Sequence, residues 1–125
     1  MKRFVFGLVL LCMGAVAWPQ SGKLMPVTTS SKKALASYNE AVGYYDAVNT
    51  GKAIEAFNDA LREDPDLFMA NYQLALYYLM TESPDNFRKY SYAAVNNKAK
   101  LSEGEELLKE AIARLRSGSE DVTDI

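Results

Sequence analysis

Residues thirty-four positions apart in this chain agree in type, and this agreement limits its folds more than any other feature. Tyr38 corresponds to Tyr72, Ala41 to Ala75, Tyr44 to Tyr78 and Ala60 to Ala94. A fixed period of this length is the mark of stacked supersecondary units, each hiding its apolar face on the next. The units are helical, because the apolar positions follow a 3.6-residue period and no alternating run bounded by turn residues suggests a strand.

Five helices are expected. The first runs from Lys32 to about Val48, behind an N-cap at Ser30 or Ser31, and Asn49-Thr50-Gly51 breaks it. The second covers Lys52 to Glu63 and stops at Asp64-Pro65-Asp66, where proline lacks the donor that a continuing turn needs. The third spans Leu67 to Met80 and is apolar around nearly its whole circumference, so it belongs at the centre. Ser83-Pro84 opens the fourth, which ends near Asn96. The capping box Ser102-Glu103-Gly104-Glu105 opens the fifth, which lasts to about Arg116, with Gly118 marking its end. Connections of a few residues make consecutive helices antiparallel neighbours. On the fifth helix Leu107, Leu108, Ala111, Ile112 and Leu115 form one stripe, and Glu105–Lys109 and Glu110–Arg114 are expected as exposed pairs.

The ends of the chain differ in composition from this middle. Lys2 and Arg3 precede an apolar run from Phe4 to Val16, and Ala15-Val16-Ala17 is a small-x-small cleavage pattern. Residues 1–17 therefore read as a cleavable signal peptide. The 15 apolar residues from Phe4 to Trp18 fall short of the ~20 that span a bilayer. The mature protein is expected to be periplasmic or secreted and to have no membrane span. Lipidation at Cys12 would require a small residue before it, and Leu11 stands there. Residues 18–31, with two prolines and a Ser/Thr cluster, read as a flexible leader. Residues 118–125 read as an acidic tail that resembles the opening of a further helix, with Ser119 as its N-cap.

Composition then narrows the chemistry. There is no histidine, which excludes an imidazole base, a Ser-His-Asp triad and His-ligated metal. One cysteine allows neither an intrachain disulfide nor a thiolate cluster. A pI of about 5.2 excludes a basic nucleic-acid footprint. The densest carboxylate group, Glu103, Glu105, Glu106 and Glu110, suits the first turns of a helix by meeting its dipole. Asp64 and Asp66 suit a turn. No catalytic constellation, metal site or cofactor is expected.

The residues of the period resemble the tetratricopeptide repeat. In a first copy at 34–67, Ala41 and Tyr44 match the small and aromatic positions of its first helix. Ala53, Phe57 and Ala60 match those of its second, and Pro65 matches the closing proline. A degenerate copy at 68–101 keeps Leu74, Ala75, Tyr78 and Ala94, with Phe87, Ser91 and Ala99 replacing motif residues. A last helix covers 102–116. Ser37 and Glu40 depart from the motif's Trp and Leu. The resemblance implies an α-solenoid over 32–117, in an exported bacterial protein that binds a peptide or protein and is not an enzyme.

By the same resemblance, Tyr38, Val42, Tyr45, Tyr72, Gln73 and Leu76 line a concave groove. Aromatics with an apolar body and a polar tip suit recognition. Those six positions carry no charge, which implies an apolar or aromatic segment as ligand. Two further readings stand beside it. One is an enzyme or carbohydrate-binding accessory using the acidic and aromatic side chains. The other is a structural subunit that completes its solenoid with another chain. Partner identity and oligomeric state are not legible in the sequence.

Overall fold

The computed structural model describes residues 25–121. The segment read as a signal peptide, its cleavage site, Cys12 and residues 122–125 lie outside the described residues. Within them the chain is all-α. Five helices follow in order: α1 (Lys32–Asp46), α2 (Thr50–Glu63), α3 (Phe68–Met80), α4 (Pro84–Val95) and α5 (Glu103–Asp121). The main contacts join α1 to α2 and α3 to α4, while α5 lies against α4 and α3.

Local chemistry accounts for most boundaries. The Ser31 hydroxyl accepts from the Ala34 amide at 3.1 Å, capping α1. Pro84 occupies the first turn of α4, where its missing N–H costs nothing. Asn49 does not break the chain for three residues. Its side chain caps α2, which starts at Thr50 because the cap satisfies the Lys52 amide. Gly118 does not end α5 either. Its φ is not positive, so it supplies no left-handed cap, and the helix runs through it to Asp121. The tail thus continues α5 as far as Asp121 and does not begin a separate helix at Ser119.

The turns that follow α1 and α3 are copies of one another. After α1 the Val48 amide donates to the Tyr45 carbonyl at 2.9 Å and the Asn49 amide to Tyr44 at 2.8 Å. After α3 the Glu82 amide donates to Leu79 at 3.3 Å and the Ser83 amide to Tyr78 at 2.9 Å. Both are Schellman closures, in which one residue takes the left-handed conformation. Those residues are Val48, at φ 58°, and Glu82, at φ 54°, thirty-four positions apart. Neither is the glycine that such a position favours.

The core runs through all five helices. Ala41, Ala53, Ala60, Leu74, Ala75 and Ala94 are fully buried and Phe57 nearly so. Small side chains let the helix axes approach, and the aromatics fill what remains. Tyr44 and Tyr78 are only half-buried at its edge, and Pro65 is exposed. As expected, α3 is the central element, with Phe68, Met69, Ala70, Asn71, Leu74 and Ala75 all buried.

Residues 25–31 are not a flexible leader. They form a strap with Met25 and Val27 packed against the core. The buried Glu105 carboxylate accepts from the Thr28 amide at 2.9 Å and from its hydroxyl at 2.5 Å. The Thr29 hydroxyl donates to Asp64 at 2.6 Å, and the Ser102 hydroxyl donates to the Pro26 carbonyl at 3.3 Å. Met25 also lies where a side chain on Gly104 would stand, so glycine there makes room for the strap.

Candidate partner-binding face

α1 carries Tyr38, Val42 and Tyr45 at positions i, i+4 and i+7, which a helix places along one face. α3 carries Tyr72, Gln73 and Leu76. The structure brings Val42, Tyr45 and Gln73 together. With Asp46 and Phe57 they line a hollow of about 170 Å³. Tyr45 is the exposed aromatic of the set, at 42%. Asp46, at the end of α1, puts a carboxylate beside a face expected to be uncharged. The repeat motif marks no position there, so the pattern of the sequence does not point to it.

The other three candidates are less available. Tyr38 is 6% exposed, with its ring 5.7 Å from that of Phe57. The side chain of Gln73, on α3, lies near its hydroxyl. Burial pushes its pKa above the usual phenol value, against a smaller opposing effect of the Gln73 side chain. Tyr38 is therefore a core residue. Tyr72 is half-buried and stacks on Phe68 of its own helix at 5.8 Å. Leu76 is half-buried against the core.

Larger hollows lie elsewhere. One of about 480 Å³ lies between α2 and α4, where the Tyr90 hydroxyl donates to Asn58 at 2.9 Å. Another, of about 330 Å³ and lined by Tyr78, Leu79, Pro84 and Phe87 among others, sits at the turn from α3 to α4. A third, of about 470 Å³, lies between α4 and α5 and contains Glu103, Glu106 and Glu110.

The carboxylates expected to serve structure do so, with one change of partner. Glu105 does not pair with Lys109 on the surface. It turns inward to close the capping box, accepting from the Ser102 amide at 2.9 Å while Ser102 accepts from the Glu105 amide at 3.3 Å. Lys109 instead reaches the Asn97 carbonyl at 3.0 Å. Glu110 and Arg114 pair at 2.5 Å as expected. Asp64 accepts from the Asp66 amide at 3.1 Å, in a turn role.

Among the described residues, no three His, Cys, Asp or Glu side chains are grouped to hold a metal ion. No helix there is long and apolar enough to cross a membrane. The chemistry on offer at the α1–α3 face is apolar contact, a phenol tip, an amide and one rim carboxylate. In comparisons with known proteins, no family model matches the chain, and no curated protein or solved structure is similar to it.

Proposed function

We propose that this chain is a non-enzymatic, tetratricopeptide-like helical-repeat module that binds a peptide or a partner protein. The observation that carries the reading is the Schellman turn repeated thirty-four residues apart, with a non-glycine residue in the left-handed position both times. Matched alanines, buried at Ala41 and Ala75 and again at Ala60 and Ala94, support it. The binding face is the region of Val42, Tyr45 and Gln73, and its ligand is an apolar or aromatic segment. A cation on that segment would meet Asp46. The engagement of Glu105, Glu110 and Asp64 in caps, pairs and turns favours binding over catalysis.

Capture from a cell-envelope extract tests this function. The wild-type chain is compared with a Val42→Asp/Tyr45→Ser variant, both of them immobilised. The same species retained by both would remove the face from the proposal, and its loss from the variant would support it. Export belongs to the same proposal. Intact-mass analysis should then find a mature protein that begins at Trp18 with no acyl group, and an acylated start at Cys12 would overturn that part.

A further inference from the structure

α5 is packed along one side only. Ile112 and Glu105 are fully buried and Leu108 is half-buried, whereas Leu107 is 64% and Leu115 45% exposed. Leu107, Ala111 and Leu115 recur every fourth residue, so they fall within an arc of about 80° on the helix surface. Leu107 also reaches the groove of about 470 Å³ between α4 and α5, where Val95 and Ala113 supply further apolar surface. Acidic side chains edge this groove: Glu103, Glu106 and Glu110. Glu110 is paired with Arg114, and the Lys109 ammonium is turned to the Asn97 carbonyl. Glu103 and Glu106 form no ion pair among the described residues, and with the Lys109 ammonium at the rim the groove still carries a net negative charge beside apolar surface.

We propose that this groove seats one amphipathic α-helix of a partner, with leucine-like residues on one face and Lys or Arg on the flank beside Glu103 and Glu106. Charge complementarity selects the cationic flank. The backbone chemistry selects a helix over an extended segment. From Leu107 onward the N–H groups of α5 are used within its own helix, so this stretch offers side chains only. An extended segment buried there would leave its own backbone groups unsatisfied, while a helix satisfies them internally. The side chains spaced by four on α5 form a ridge of the kind that interlocks with another helix. The same molecule covers α1 with α2 and α3 with α4, in each case by a helix. This surface is separate from the Val42–Tyr45–Gln73 hollow, so either can fail without the other.

Two labelled peptides of about 18 residues, long enough to follow the groove, provide the test. They share one Leu/Ala stripe and differ only in flanks of Lys or of Glu. Fluorescence anisotropy with the full chain should give the Lys-flanked peptide an affinity at least about tenfold higher. Leu107→Asp should abolish that binding. Because this change adds a carboxylate, a merely acidic surface would bind the cationic peptide more tightly, so a loss identifies apolar seating. Val48→Asp, at a residue 85% exposed on the turn after α1, should have no effect. Glu103→Lys with Glu106→Lys should reverse the preference between the peptides. Equal affinity for the two peptides would overturn the proposal. So would Leu107→Asp binding no more weakly than Val48→Asp, or sedimentation showing the groove already covered by a second copy of the chain.

Discussion

In the first helix pair the aromatic that fills the space between helices is Phe57. In the second pair Ser91 holds the matching position, and the aromatic stands one turn earlier, at Phe87, where the first pair has Ala53. All four side chains are buried. The exchange keeps one large and one small residue per pair, which is the kind of change a packed core tolerates best. It also alters what the second pair presents to its neighbour. The Ser91 hydroxyl accepts from the Arg116 guanidinium of α5 at 3.2 Å, and the Arg88 carbonyl accepts from the same group at 3.0 Å. A phenyl ring at 91 could not accept from Arg116. In the first pair α3 takes the corresponding place against α2, and the aromatic stays. Ser91 thus gives the second pair a polar contact to α5 that a ring at that position would not.

The sharpest way to break this comparison is to move the aromatic. Phe57→Ser should cost about 3–5 kcal/mol, the range for truncating a buried ring. Adding Ala53→Phe builds the second pair's arrangement into the first and should recover part of that loss. Coupling between touching core residues reaches about 0.5–3 kcal/mol. Chemical denaturation of the two single variants and the double measures it, and strict additivity would show that the two pairs do not share one packing rule.

Glu105→Gln should cost about 1.5–3 kcal/mol, because it replaces a carboxylate holding charge-assisted bonds. Amide hydrogen exchange at Thr28 should accelerate with it. An unchanged rate would mean that the strap is held by Met25 and Val27 alone. Ala60→Leu and Ala94→Leu should each lower stability by about 1–3 kcal/mol through overpacking. Lys33→Ala, on the exposed surface, should stay within about 0.5 kcal/mol. Thermal melts compare the matched pair, and a large difference between them would show that the helices approach to different distances.

The smallest effect concerns the turns and has the opposite sign. Val48→Gly should raise stability by about 1 kcal/mol, because a β-branched residue in the left-handed region is strained. Glu82→Gly should gain less, since its side chain is not β-branched. A rise in melting temperature for the first variant that exceeds the second checks the ranking.

The elements of the fold were legible because their signals are local. Ser31, Pro84 and the Ser102–Glu105 box mark helix starts through contacts within a few residues, and the apolar circumference of α3 reports its central place. The strap was not legible, since Met25 to Thr29 shows no period and its partners lie far along the chain. Glu105 was hidden for a related reason. Its capping role already accounts for a glutamate there, and nothing nearby indicates that its carboxylate also receives Thr28. At the α1–α3 face, spacing correctly put Val42 and Tyr45 on one side of a helix. It could not show that Tyr38, on the same side, would be spent on Phe57 and Gln73.

The strap also sets an order of events during synthesis. Its acceptor lies 77 residues downstream of Thr28. At translation rates of about 5–20 residues per second, that distance takes roughly 4–15 s to make. The contacts of α1 with α2, and of α3 with α4, need only neighbouring stretches of chain and can form as these emerge. Thr28 has to wait for residue 105. Throughout that interval the chain upstream of α1 is untethered by Glu105. Once Glu105 is in place, the segment ahead of α1 is fastened to α5, across both helix pairs made in between.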